Sequence, residues 1–405
     1  MDQKINLNDL SDEQKVWLSQ LSYLDINEEG RLKIEQGTMT INDLPNYLDD
    51  PDKSYFGTFL VKNDELFIKG SDTFMGGKTP LSMTNKELAQ TICEKGLGGL
   101  KITAVNEEQG KKDSGLQVIA FRDDYGNVGI SYRGSDADIA HGMKQDWIEA
   151  NMLEFFKNDS RQIQEAKEFF EQNKIDNGQN FLYGHSLGGN LVQHIYCDQH
   201  HQIAEAFTIN GNPINEKLIN TQEKIDAFND PNKFNCYIIN GDVIGHLKTH
   251  QLYKNNVRFV ENGGELTGLK AHFAQSGKYD KEGNFVRTTE RQVEMDMPEW
   301  QKKMFQKMHE WRDKLNERED RKEERESIGR DDKESVDLDS QYDEEIDLDD
   351  LETTFGETVE RSGQEDSIDL DAMCHEVESE FICGNSNNNQ VFDGINEIDE
   401  TVMER

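Results

Sequence analysis

One stretch of eleven residues limits the folding options of this chain more than any other: NFLYGHSLGGN, residues 180–190. The apolar run NFLY reads as a buried strand, and GGNLVQHIYC (188–197), which begins in the motif and runs past it, places apolar residues at helical spacing. The chain therefore passes from strand to helix through a turn of almost no length, with Ser186 between Gly184 and Gly188. Strands that feed directly into helices belong to layered α/β sheets. Two readings of the serine compete. It is a nucleophile held on a strained turn, or an ordinary residue in a glycine-rich connection.

The surrounding sequence has the same rhythm. LQVIAFRD (116–123) and VGISYRG (128–134) read as strands joined by the turn-rich DYGN. Helices are expected over about 146–156 and 160–173, then a strand at 180–183 and a helix over about 188–197. AEAFTIN (204–210), NCYIIN (235–240) and NVRFVE (256–261) are further strands. Such alternation from about 116 to 275 predicts a mostly parallel central sheet flanked by helices. Upstream, Ser11 caps an expected short helix within LSDEQKVWLSQLSYLDI (10–26), and TNKELAQTICEKG (84–96) reads as another. GTFLVKNDELFIKGSD (57–72) has the pattern of a hairpin.

Charge divides the chain. Its 405 residues are 34% hydrophobic, enough for a sizeable core, and carry a formal net charge of -37. Residues 331–405 hold 26 acidic and 3 basic side chains, so the tail contributes -23 and the body -14. The expected organisation is a folded domain over 1–295, a charged amphipathic helix over 296–330, and an acidic, mostly disordered tail over 331–405. In the helix, Met304, Met308, Trp311 and Leu315 share one stripe. Helix and tail are the segments to which a protein partner is most readily assigned. An acidic surface without a basic stripe argues against nucleic-acid binding. No stretch approaches the roughly 20 apolar residues of a membrane span. With no Sec-type signal, the default expectation is a cytoplasmic protein, and secretion by a signal-independent route is the alternative. The five cysteines (Cys93, Cys197, Cys236, Cys374 and Cys383) form neither a disulfide framework nor a zinc pattern.

Nucleophilic catalysis by serine needs a base, a group that orients the base, and donors for an oxyanion. In α/β-hydrolases the G-x-S-x-G turn supplies the serine, and the acid and histidine follow it on later loops. Asp242 lies just past strand 235–240, where sites on open parallel sheets gather; a plain Gly-Asp turn is the competing reading. Glu223, Asp226 and Asp230 lie upstream of that strand and fit less well. His272 follows the last strand in a long glycine-rich loop, whereas His246 and His250 come too soon after Asp242, and His309 and His375 belong to the helix and tail. His185, beside the serine, reads as a shaping residue. His194, His200 and His201 read as a solvated helix end rather than a metal site; no metal or cofactor is expected. The Leu187 N–H is one oxyanion donor, and Ser135, after the bend at Gly134, is the second. Ile139, Met143, Trp147, Ile148 and Met152 make an apolar stretch that is either a core helix or a lid.

These residues resemble the class 3, or fungal-type, lipases and their bacterial lipase-like relatives. The matches are SYRGSD (131–136) with Asp146-Trp147, GHSLGG (184–189), NGDVIGHL (240–247) and His272. LSQLSYLD (18–25) is similar to the opening helix of the bacterial relatives. The likeness covers about 116–275, thins over 1–115 and is absent beyond 296. It implies an α/β-hydrolase fold with Ser186, Asp242 and His272 as catalytic triad and Ser135 and Leu187 as oxyanion donors. It also implies a lid after Ser135, and hydrolysis of acylglycerol or phospholipid esters without a metal. The lid-equivalent stretch departs from the pattern by carrying Asp136, Asp138, His141 and Lys144, and the family's usual secretion signal and disulfides are missing. The acidic tail is an addition, and an export role for the added helix accords with some signal-less lipases. Two readings compete with lipid-ester hydrolysis: a non-catalytic scaffold on a hydrolase fold, and hydrolysis of thioesters or amides.

Overall fold

The computed structural model describes residues 4–52, 67–68, 79–80, 83–106, 115–133, 161–242, 245, 252–263 and 269–289. The expected helix over 146–156, Ser135 and the lid-like stretch, the helix over 296–330 and the acidic tail lie outside the described residues.

Seven strands form the central sheet in sequential order: β1 (Lys101–Val105), β2 (Val118–Arg122), β3 (Val128–Tyr132), β4 (Asn180–His185), β5 (Glu205–Ile209), β6 (Phe234–Ile239) and β7 (Val257–Val260). β1, β2 and β3 pair antiparallel, and β3 to β7 are parallel. All residues of β3 to β6 are buried, as parallel strands covered on both faces must be. A sequential order means every parallel crossover steps the same way. Right-handed crossovers then put their helices on one face. That face carries α4 (Arg161–Asn173), α5 (Leu187–Gln199) and α6 (Gln222–Phe228), which bring Ile163, Phe170, Leu191, Ile195 and Phe228 against Ala120, Ile130, Leu182 and Ala206.

The opposite face needs a separate cover, and the N-terminal segment supplies it. Leu7, Val16, Trp17, Leu21 and Leu24 join a second core with Phe121, Phe181, Tyr183, Phe207 and Tyr237. The period of two along β4 decides the partition: Phe181 and Tyr183 face the N-terminal layer, and Leu182 faces the crossover helices. Neighbouring rings run across this face, from Phe121 to Tyr183, Phe207, Tyr237 and Phe285, with successive centroids 6.0, 6.4, 5.2 and 4.8 Å apart. Burying each such ring contributes roughly 1.5–3 kcal/mol.

The layer is built from α1 (Asp12–Gln20), α2 (Glu28–Glu35) and α3 (Asn85–Ile92). α1 starts at a capping box, in which the Ser11 hydroxyl accepts from the Gln14 N–H and the Gln14 side chain accepts from the Ser11 N–H. Thr84 and Glu87 repeat the device at α3. The segment 279–285 straps α1 in place. The Phe285 N–H and the Tyr237 hydroxyl both donate to Asp12, at 3.0 Å each, and the Glu13 N–H donates to the Gly283 carbonyl at 2.9 Å.

Of the hairpin expected within 57–72, all but Phe67–Ile68 lies outside the described residues. Phe67–Ile68 pairs with Thr79–Pro80, so this partner lies downstream of the segment. α2, the turn Ile41–Asn46 and edge strand β1 are elements the sequence reading did not contain. Among the described residues, no helix is long and apolar enough to cross a membrane. The mostly parallel sheet between helical layers, with a strand–serine–helix turn at the end of β4, is an α/β-hydrolase fold.

Candidate active site

Ser186 sits between β4 and α5 with φ 56° and ψ −127°. Left-handed backbone at a residue with a side chain stores about 1–3 kcal/mol of strain. The surroundings hold it there. The Ser186 N–H donates to the Ile209 carbonyl of β5 at 3.2 Å, and the Ser186 carbonyl accepts the first α5 bond from Asn190 at 3.2 Å. Close backbone packing explains the flanking glycines. A Cβ on Gly184 would lie 2.3 Å from the Gly188 carbonyl oxygen, and one on Gly188 would lie 2.0 Å from that of Tyr132. Strand, helix and the end of the neighbouring strand touch through bare backbone. Only glycine allows that.

Leu187 is the first residue of α5 and is buried. Its N–H is among those a helix leaves without an intrahelical acceptor, at the end carrying positive partial charge.

Asp242 follows β6 immediately, past the left-handed Gly241 (φ 96°), and is fully buried. Its Oδ2 accepts from the Gly245 N–H at 2.7 Å, and its Oδ1 pairs with His272 Nδ1 at 2.7 Å. An ionised carboxylate can only accept, so His272 Nδ1 carries a proton; in the neutral form of such a ring the lone pair lies on Nε2. His272 closes a single helical turn, Leu269–His272, and its side chain is 15% exposed. The structure thus brings together the acid and the histidine expected from sequence, thirty residues apart.

His185 joins this pair to the elbow. Its ring is completely buried, with Nε2 2.7 Å from the His272 carbonyl oxygen and Nδ1 3.0 Å from the Tyr23 hydroxyl. Burial, reinforced by neighbouring His272, lowers its pKa to about 3, so the ring is neutral. Asn210, left-handed at φ 50°, caps β5 beside it. Its Nδ2 donates to the carbonyls of Ala271 (3.2 Å) and His272 (3.0 Å), and its Oδ1 accepts from the Ile239 N–H at 2.8 Å. Residues 185–186, 210, 242 and 272 therefore meet at the C-terminal edge of the parallel strands, where such sheets bind ligands.

Sequence reasoning missed Asn210 and Tyr23. A signal for Asn210 existed, since asparagine at a strand end before glycine is the residue that tolerates a left-handed backbone. Tyr23 has none, because its partner is 162 residues away. His194 differs from its expectation of a solvated helix end: it is buried within α5. His200, at the helix end, faces the exposed Glu223 at 3.3 Å. Ser135 and Gly134 lie outside the described residues, as do His246, His250, His309 and His375. Arg133, the last described residue before them, is buried; it donates to the Gln117 side chain and lies 5.4 Å over the Tyr23 ring.

A serine on a strained backbone, an imidazole oriented through Nδ1 by a buried carboxylate, and a helix N-terminus are among the parts that acyl transfer requires.

Among solved structures, a triacylglycerol lipase from Penicillium expansum aligns with 48% of this chain and 76% of its own length, at 12% identity and a TM-score of 0.26. The fold assignment therefore rests on the sheet and elbow themselves. No curated protein matches the chain. The model of the Mbeg1-like family matches residues 97–327, which is more than half of the sequence and spans the sheet, the elbow and the Asp242 and His272 loops. The chain belongs to the Mbeg1-like family, a lipase-like family.

Proposed function

We propose that this protein is a serine hydrolase of carboxylic esters, acting on lipid esters, with Ser186, His272 and Asp242 as its triad. The observation that carries the reading is the 2.7 Å pairing of His272 Nδ1 with the fully buried Asp242, one loop away from a serine on a left-handed turn. A buried carboxylate placed against one imidazole nitrogen keeps the other available as a base. Ser186 Oγ attacks the ester carbonyl while His272 Nε2 accepts its proton. The Leu187 N–H stabilises the tetrahedral oxyanion, with Ser135 as second donor in this proposal. Collapse expels the alcohol, which takes the proton back from His272. Water then enters by the same route and releases the acid. Assignment to class 3 lipases and the choice of a lipid ester rest on the SYRGSD, GHSLGG and NGDVIGHL motifs and on membership of a lipase-like family.

Fluorophosphonate labelling in detergent, followed by peptide mapping, tests the reading. A single adduct on Ser186, absent from Ser186→Ala, is expected together with hydrolysis of acylglycerols. A folded protein that takes no adduct and cleaves no ester would overturn it.

A further inference from the structure

We propose that Tyr23 and His185 form a positioning pair that fixes the backbone of His272, so that the N-terminal layer sets the aim of the catalytic base. The inference rests on the ester-hydrolase reading of Ser186 and His272.

Both nitrogens of His185 are occupied, by the His272 carbonyl at 2.7 Å and the Tyr23 hydroxyl at 3.0 Å. A carbonyl only accepts, so Nε2 must carry the proton and donate it. Nδ1 then has only a lone pair, and Tyr23 must donate to it. The chain of donors runs one way, from Tyr23 through His185 to the carbonyl of residue 272. That carbonyl also accepts from Asn210 Nδ2 at 3.0 Å. The base is pinned at two points: two donors hold its backbone, and Asp242 holds the far side of its ring at Nδ1. The rings of His185 and His272 also lie side by side, with centroids 4.8 Å apart.

Position 185 has no packing reason to be histidine. It is the third residue of the β4 face that carries Phe181 and Tyr183, where an apolar ring fills the space at less desolvation cost. What histidine adds there is one donor and one acceptor on opposite sides of a rigid ring. Tyr23 lies in the 3₁₀ turn Leu21–Tyr23 that follows α1, so its hydroxyl is delivered by the layer over the sheet. Arg133, two residues before Ser135 in the sequence, stacks over the same tyrosine at 5.4 Å. Tyr23 thus touches residues that adjoin the nucleophile and the expected second oxyanion donor, and reaches the base through His185.

The test compares His185→Leu, His185→Gln and Tyr23→Phe with wild type in steady-state ester hydrolysis. His185→Leu removes the donor to residue 272. The base then drifts by a fraction of an ångström to an ångström, and kcat falls on the order of 10²-fold while KM stays within about twofold. Gln presents an N–H at a similar reach and restores kcat to within about tenfold of wild type. Tyr23→Phe lowers kcat by roughly three- to tenfold, again at unchanged KM. A fourth readout needs no turnover: ring-¹⁵N-labelled histidine in the wild-type chain should show His185 as the neutral Nε2–H tautomer at pH 7. If Leu cannot fold, Gln, Phe and the tautomer measurement decide. Unchanged kcat in folded His185→Leu, an effect on KM alone, no difference between Leu and Gln, or a cationic or Nδ1–H His185 overturns the pairing. Wild type that takes no fluorophosphonate overturns the ester-hydrolase reading, and this inference with it; labelled wild type with indifferent variants overturns only the inference.

Discussion

Replacing Asp242 with asparagine exchanges one carboxylate oxygen for an NH₂ and tests what the acid does. In the wild type one carboxylate oxygen accepts from His272 Nδ1 and the other from the Gly245 N–H, both at 2.7 Å. An amide has one acceptor oxygen, so the two donors cannot both be served as before. If the amide oxygen stays on Gly245, the NH₂ faces His272 Nδ1, and the imidazole answers by moving its proton to Nε2. Every group is then bonded, but the base carries a proton where it should accept one. If the oxygen turns to His272 instead, the NH₂ points at the Gly245 N–H, and burial of two opposed donors costs about 1–3 kcal/mol. The first arrangement wins by roughly 5- to 150-fold. Asp242→Asn should therefore fold with stability within about 1 kcal/mol of wild type and lose on the order of 10⁴ in kcat, as expected for the wrong tautomer. Hydrolysis of a soluble p-nitrophenyl ester, beside urea unfolding of the same sample, measures both. A folded variant with more than about a tenth of wild-type kcat would refute the orienting role of Asp242. A variant destabilised by 3 kcal/mol or more would refute the tautomer argument.

Other consequences can be checked with the same methods. Ser186→Gly removes the side chain from a left-handed residue (φ 56°) and should raise stability by about 1 kcal/mol while abolishing activity; an unchanged urea midpoint would mean the turn is not strained. Gly188→Ala places a Cβ 2.0 Å from the Tyr132 carbonyl oxygen, and since backbone cannot rotate aside it should cost about 3 kcal/mol; a loss below 1 kcal/mol by urea unfolding would contradict the close approach. His185, neutral in the folded protein with its pKa pushed down to about 3 by burial, titrates near the ordinary 6.5 when unfolded. The unfolded chain binds the extra proton between those values. The contribution is thus intact above about pH 6.5 and is lost on acidification at up to about 1.4 kcal/mol per unit. Between pH 7 and pH 5 the wild type should lose about 2 kcal/mol more than His185→Gln; equal losses would show that the ring is not held neutral.

What the sequence disclosed follows from how local each signal is. β4, the elbow and α5 are read from 18 adjacent residues, 180–197, because the apolar run, the glycines and the helical stripe all fall within them. Asp242 and His272 could be picked out by order along the chain, since parallel topology sends each loop to the same edge of the sheet. β1 was invisible because KITAV buries a single residue, Ile102, completely and leaves Lys101 exposed, so it lacks a strand's alternation. α2 was missed for a like reason, burying only Gly30 and Ile34 of EEGRLKIE. The side-chain contacts of His185 and Asn210 join residues 29 to 162 positions apart, and such pairings leave no mark on local composition.

The strap over α1 has a consequence for the order in which a ribosome delivers this protein. Asp12 and Glu13 wait for Gly283 and Phe285, 273 residues away in the case of Asp12 and Phe285. The apolar side of the N-terminal layer and the ring row of the sheet share one core with Phe273, Tyr279 and Phe285, so that core cannot close until translation has passed position 285. At about 5–20 residues per second, the earliest helix is kept waiting for some tens of seconds. His272 emerges only 13 residues ahead of Phe285, so the proposed base is delivered almost together with the segment that closes this core.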